Sequence, residues 1–231
     1  METTTNGQLI VIPTPIGNLG DITARSKEML ESCDLVLAED TRVTRKLLTM
    51  LGLQAQVFPF HQHNEHHTTP GWIHQMELGK KIGLVSDAGT PGISDPAFLL
   101  VRAAIQAQIQ VTCLPGPTAF VPALVMSGIP CDRFYFGGFL PPKKGRKTRW
   151  EFMASLPCTL VLYESPHRIQ KTLKEAVQFC GGERQAAVVR EISKLFEEAI
   201  RGNLSELEEK SKQSTWKGEM VLVIGSETCD Q

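Results

Sequence analysis

At 231 residues the chain is long enough for one large α/β domain or two small ones, and its 42% hydrophobic content is ordinary for a globular protein. Its 24 lysines and arginines nearly balance 25 acidic residues, leaving a formal net charge of −1. That excludes a protein that binds nucleic acid over its whole surface and confines any such contact to a local patch. The six cysteines are scattered, with no Cys-x-x-Cys, and read as reduced thiols filling cores. The first residues lack a basic and then apolar leader pattern, and no run approaches the ~18 apolar residues of a membrane span. The expected location is the cytoplasm.

In chain order, strands and helices alternate. Leu9–Ile12 predicts a strand, followed by the loop Pro13-Thr-Pro-Ile-Gly-Asn-Leu-Gly20 and a helix capped by Asp21. Asp34–Ala38 predicts a second strand, ending in Glu39-Asp40-Thr41-Arg42. A helix over Val43–Leu51 stops at Gly52. Val57-Phe58 starts a third strand, which runs into a His-rich loop and a helix over Thr69–Leu78. Lys81–Val85 reads as a buried strand, and Val111–Leu114 as another, ending in Pro115-Gly-Pro117.

Between those last two strands lies Ser86-Asp-Ala-Gly-Thr-Pro-Gly-Ile-Ser-Asp-Pro-Ala-Phe98. It sits where a strand ends and a helix begins, the usual ligand position in an open α/β sheet. Asp95 and Pro96 suit the cap and first position of that helix. Gly89 and Gly92 let backbone approach a ligand, while Asp87 and Asp95 add carboxylates. With no lysine, the loop is a poor phosphate cradle. It better suits a ligand that carries positive charge and hydroxyls.

The second half restarts after Pro117. Thr118 is read as capping an apolar helix that stops near Gly128, and Arg133–Gly137 as a strand. A loop over Leu140–Thr148 leads to a helix near Arg149–Ser155. Cys158–Tyr163 is a strand, Ser165-Pro166 opens a long helix, and Gly181-Gly182 closes it. Ala186–Arg190, Glu198–Arg201 and Met220–Ile224 read as strands, with a charged helix at Leu204–Ser211. The expectation is a mostly parallel sheet with flanking helices in residues 1–117, a mixed α/β sheet in residues 118–231, and a ligand cleft between the halves.

Six stretches now carry a resemblance: Pro13-Thr-Pro-Ile-Gly-Asn18, Ala38-Glu-Asp-Thr-Arg42, Phe60-His-Gln-His-Asn-Glu65, Ser86 through Pro96, Leu114-Pro-Gly-Pro-Thr-Ala119 and Tyr163-Glu-Ser-Pro-His-Arg168. In this order they resemble the motifs of the 16S ribosomal RNA cytidine-2′-O-ribose methyltransferase (RsmI) family, within the tetrapyrrole-methylase-like, class III methyltransferases that use S-adenosylmethionine. The resemblance spans about Leu9 to Gly225; Ala97 stands where a glycine is expected. It implies the two-lobed tetrapyrrole-methylase-like fold. It also implies 2′-O-methylation of a cytidine in the decoding region of 16S rRNA in the small ribosomal subunit, and a homodimer. S-adenosylmethionine contacts are implied at Asp87, Ala88, Gly89, Ile93, Ser94, Asp95, Thr118 and Ala119. Leu162 and Arg190, at strand ends of the second half, join them as candidates; Leu162 reads equally as a core leucine.

Methyl transfer to a ribose oxygen needs oxygen, carbon and sulfur in line, helped by a group that takes or orients the hydroxyl proton. Glu39 and Asp40, at a strand end on the same sheet edge as the glycine-rich loop, are the candidates, with Arg42 to orient them or hold a phosphate. A structural ion pair capping the following helix explains these residues equally well. Glu164 and Arg168 pose the same choice. Five positive charges in nine residues, Lys143, Lys144, Arg146, Lys147 and Arg149, form a candidate RNA contact. Phe139 and Trp150 flank them and are candidates for stacking on an unpaired base. His61, His63, His66 and His67 lack the spacing of a closed zinc site, so no metal is expected; Asn64 or Glu65 instead suits a contact to RNA or cofactor.

Three other readings are weighed. A carbon methyltransferase acting on tetrapyrroles predicts Gly-x-Gly-x-Gly-Asp in the first loop, where this chain has Pro-Thr-Pro-Ile-Gly-Asn. A non-catalytic RNA-binding module predicts no affinity for S-adenosylmethionine. A dinucleotide oxidoreductase is disfavoured because no Gly-x-Gly-x-x-Gly follows the first strand.

Overall fold

A computed structural model describes residues 7–94 and 97–227. The chain divides into two units, Met1–Thr118 and Ala119–Gln231. In the first, β1 (Gln8–Val11), α1 (Ala24–Ser32), β2 (Leu35–Ala38), α2 (Thr41–Leu51), β3 (Val57–Pro59), α3 (Glu65–Glu77), β4 (Lys81–Val85), α4 (Phe98–Gln106) and β5 (Gln110–Cys113) follow one another. The sheet order is β3-β2-β4-β1-β5, every pair parallel. Continuous apolar runs such as Leu-Ile-Val and Leu-Val-Leu-Ala suit strands buried on both faces. Leu9 and Val11 point into a layer shared with Leu37, Leu84, Met76 of α3 and Leu100 of α4. Ile10 and Ile12 point the other way, toward Val36, Leu30 of α1 and Leu48 of α2.

The second unit contains α5 (Phe120–Ser127), β6 (Phe134–Phe139), α6 (Arg146–Ala154), β7 (Thr159–Glu164), α7 (Ile169–Cys180), β8 (Gln185–Arg190), β9 (Glu198–Asn203), α8 (Leu204–Gln213) and β10 (Met220–Ile224). Its sheet order is β6-β7-β10-β8-β9; β6 and β7 are parallel and the remaining pairs antiparallel. One face packs Leu160, Leu162, Val188 and Leu222 against Trp150 and Met153 of α6, Leu173 of α7 and Leu207 of α8. The mixed sheet is the one the sequence predicts.

Several boundaries differ from the sequence expectation. Thr23, not Asp21, caps α1, its hydroxyl accepting from the Ser26 amide at 3.0 Å. The α3 helix begins at Glu65, so His66 and His67 are helical rather than in a loop. The N-cap of α4 is Ala97; the expected cap Asp95 and Pro96 lie outside the described residues. Ala119 rather than Thr118 precedes α5. The α6 helix starts at Arg146, three residues before the expected start at Arg149, which removes Arg146 and Lys147 from the loop. Among the described residues no helix is long and apolar enough to cross a membrane.

Candidate functional site

Because the first sheet is wholly parallel, all five strands end on one edge, and their exit loops gather there. Helices α1 and α2, which follow β1 and β2, cover one face, while α4, which follows β4, covers the other. β4 lies between β1 and β2, so its exit leaves over the face opposite to both neighbours' exits. That divergence makes a topological switch point, where open α/β sheets bind ligands.

Backbone and hydroxyl bonds fix the loops there. Thr14 and Gly89 exchange two hydrogen bonds: the Thr14 amide donates to Gly89 O at 2.9 Å and the Gly89 amide to Thr14 O at 3.0 Å. The buried Thr14 hydroxyl donates to Ser86 O at 3.2 Å, and the Thr90 hydroxyl to Pro117 O at 3.0 Å. A Cβ on Gly116 would stand 2.3 Å from Pro13 Cβ, so the backbone of the fifth exit loop at Gly116 packs directly on the Pro13 ring of the first. Gly89 and Gly92 hold φ of +81° and +90°, and Ser94, without glycine's freedom, holds +70°. The structure thus brings Asp87, Ala88, Gly89, Ile93, Ser94 and Thr118 into one group of loops, with Ala119 following; Asp95 is outside the described residues. Thr14 and Gly116 were given no role from sequence, although the Pro-Thr-Pro and Pro-Gly-Pro patterns signal rigid turns.

The acidic candidates sit beside this group. The Asp40 amide donates to Asp87 Oδ1 at 2.9 Å, tying the β2 exit to the β4 exit. Asp40 itself caps α2, accepting from the Arg42 amide at 2.8 Å. It also takes both Nε and Nη2 of Arg42, at 3.0 and 2.6 Å. Those hydrogen bonds from the Arg42 side chain, and then from its amide, lower the Asp40 carboxyl to a pKa of about 2. Asp40 and Arg42 therefore form the capping ion pair. Asn64, named for a ligand contact, is also a structural link. It accepts from the His61 amide at 2.8 Å and donates to Pro59 O at 3.0 Å. No group of three or more His, Cys, Asp or Glu side chains among the described residues is arranged for a metal ion.

In the second unit, Leu162 is fully buried in the core, so its side chain meets core rather than ligand. Arg190 pairs with Glu198, Nε and Nη2 both 2.7 Å from Oε2. Lys143, Lys144, Lys147 and Arg149 are exposed. Arg146 is not: with 4% exposure it donates from Nε to Glu175 at 2.7 Å, from Nη2 to Thr172 at 2.7 Å and from Nη1 to Pro141 O at 3.1 Å. A guanidinium so committed cannot reach a phosphate. Trp150, fully buried with its N–H on Glu175 at 2.9 Å, is removed from the stacking candidates, while Phe139 is 55% exposed.

The model of the tetrapyrrole (corrin/porphyrin) methylases matches residues 8–208. Ribosomal RNA small subunit methyltransferase I of Mesorhizobium japonicum is 44% identical over 94% of this chain and 74% of its own length. The chain belongs to the tetrapyrrole methylase family. Another relative, ribosomal RNA small subunit methyltransferase I of Escherichia coli O157:H7, is also 44% identical, over 94% of this chain and 77% of its own. These two relatives place it with the small subunit methyltransferase I branch of the tetrapyrrole methylases. The uroporphyrin-III-C-methyltransferase of Thermus thermophilus shares the tetrapyrrole methylase fold at a TM-score of 0.65, covering 95% of this chain and 94% of its own with 19% identity.

Proposed function

We propose that this chain moves the methyl group of S-adenosylmethionine to the 2′-oxygen of a cytidine ribose in the decoding region of 16S rRNA. The observation that carries the reading is the contrast in similarity. Identity is 44% along nearly the whole chain with enzymes named for small subunit rRNA, against 19% with the uroporphyrin enzyme of the same fold. The first loop, Pro-Thr-Pro-Ile-Gly-Asn, and the basic segment support the same choice.

The switch-point loops suit the cofactor. Positive φ at the exposed Gly92 leaves backbone that no Cβ screens, the buried Gly89 locks the loop through its two backbone bonds to Thr14, and the exposed carboxylate of Asp87 attracts a sulfonium or an ammonium. Ala88, Ile93 and Ser94 extend that surface, with Thr118 and then Ala119 following in the chain, and the resemblance adds Asp95 to the contacts. S-adenosylmethionine, when bound, supplies an activated methyl group on a good leaving group. The chain's own work is then alignment and handling of one proton. With Asp40 held at about 2 by Arg42, it is a weak acceptor, so Glu39 takes or orients the ribose proton. Lys143, Lys144, Lys147 and Arg149 hold RNA phosphates. The resemblance also supports a homodimer in the cytoplasm.

Small ribosomal subunits incubated with methyl-labelled cofactor test this, read by nucleoside mass mapping. Label on the ribose of one cytidine is expected, and Glu39→Gln should lower kcat about 100-fold with cofactor affinity unchanged. Label on a base, or none on RNA, would overturn the reading.

A further inference from the structure

Glu164, at the end of β7, has a side chain with no exposed surface, yet it carries a carboxylate. It accepts from the Ser165 amide at 2.9 Å, the Thr172 hydroxyl at 2.6 Å and Arg168 Nε at 3.2 Å. Arg146 Nη2 lies 4.0 Å away, and the same guanidinium grips Glu175, which also receives the Trp150 N–H. Two arginines and two glutamates are thus gathered inside one unit, where apolar residues of similar volume would hold the core as well or better.

What this cluster holds is a loop. Arg146 Nη1 donates to Pro141 O at 3.1 Å, and Arg168 Nη2 donates to Leu140 O. The Arg146 amide closes the far end on Lys143 O at 3.2 Å, next to Gly145 at φ +81°. Between these points stand Lys143 and Lys144, both exposed. The loop's backbone is anchored from inside while its ammonium groups face solvent.

We propose that Arg168 and Arg146, oriented by Glu164, Thr172 and Glu175, are positioning residues for RNA binding. They fix the Leu140–Gly145 backbone so that Lys143 and Lys144 meet two phosphates of one RNA strand without first being ordered. This rests on the reading of the basic segment as an RNA contact and adds what makes it selective in geometry. Arg168, the more exposed of the two arginines, is the residue to alter.

The experiment compares Arg168→Gln, Arg168→Lys, Lys143→Ala/Lys144→Ala and the combination of the first with the third. It uses the full chain, labelled S-adenosylmethionine and small ribosomal subunits. Arg168→Gln should raise KM for subunits about 10-fold at unchanged kcat and cofactor affinity, and Arg168→Lys should recover part of that. Amide exchange at residues 142–146 should quicken in Arg168→Gln, the rest of the chain keeping its rates. The lysine variant should raise KM by a similar factor, and the combination by much less than the product, because both act through one contact. A full product, or equal losses of kcat and cofactor affinity in Arg168→Gln, overturns the positioning role. An unchanged KM in the lysine variant overturns the RNA reading of the loop, and this proposal with it. Thr172→Val, which removes the hydroxyl between Arg146 and Glu164, repeats the test if Arg168→Gln fails to fold.

Discussion

Asp40 shows how one residue fits two roles in sequence and is settled by its neighbours. A carboxylate at a strand end beside a glycine-rich loop reads as a proton acceptor. One that precedes a helix and sits two residues before an arginine reads as a cap. In the structure Arg42 and its own amide occupy both carboxylate oxygens. The depressed pKa, about 2 against an ordinary value near 4, fixes the sign of a pH effect. The pair's contribution is complete above the unfolded value and is lost as pH falls through the folded one. Asparagine caps as well as aspartate but carries no charge. The gap in Tm between wild type and Asp40→Asn should therefore stay constant from pH 8 to about pH 4 and close toward pH 2, followed by circular dichroism. A gap that changes between pH 6 and 8 would mean another group governs it. Arg146 was the opposite case: its place in a basic run said surface, and nothing local said that the next helix would begin with it.

Elements were legible where period and punctuation agreed. Lys81–Val85 and Met220–Ile224 appear in the structure with the bounds read from sequence, because each is a short apolar run with polar or glycine flanks. Helix starts were less legible, since a cap is chosen by geometry among several able side chains; Thr23 rather than Asp21 is one instance. Pairing across loops was not legible at all, because the contact between Gly116 and Pro13 joins residues far apart in sequence. It yields a contrast between two glycines. A Cβ at Gly116 meets Pro13 at 2.3 Å, whereas one at Gly71, inside α3, meets nothing within 4 Å. Gly116→Ala should cost about 1–3 kcal/mol by forcing the two exit loops apart and weaken cofactor binding. Gly71→Ala should instead add about 0.5–1 kcal/mol through helix propensity. Urea unfolding with calorimetric titration of S-adenosylmethionine checks both. A Gly116→Ala protein as stable as wild type would deny the close approach.

At the scale of the whole molecule, charge separates a catalyst that binds RNA locally from one that coats it. The chain as a whole is slightly acidic, yet Lys143, Lys144, Lys147 and Arg149 stand exposed within seven residues. Two of the four have partial internal company: Lys147 lies 3.6 Å from Glu151, and the Arg149 guanidinium sits over the Tyr135 ring at 5.8 Å. Surface pairs of this kind are weak and yield to a phosphate. Each neutralised phosphate of a single strand contributes about 0.7 to the slope of log affinity against log salt. Four contacts then predict a slope of about −3, far shallower than a protein that is basic over its whole surface would give. Lys143→Ala/Lys144→Ala should flatten it by about 1.4, two contacts at that same increment, measured by filter binding of small subunits across a salt series. On the proposed reading, in which the switch-point loops of the first unit hold the cofactor, its affinity should stay flat in salt for both proteins. A slope that survives loss of both lysines would place the RNA contact on another surface, and a cofactor affinity that falls with them would mean that the basic segment serves the donor rather than the acceptor.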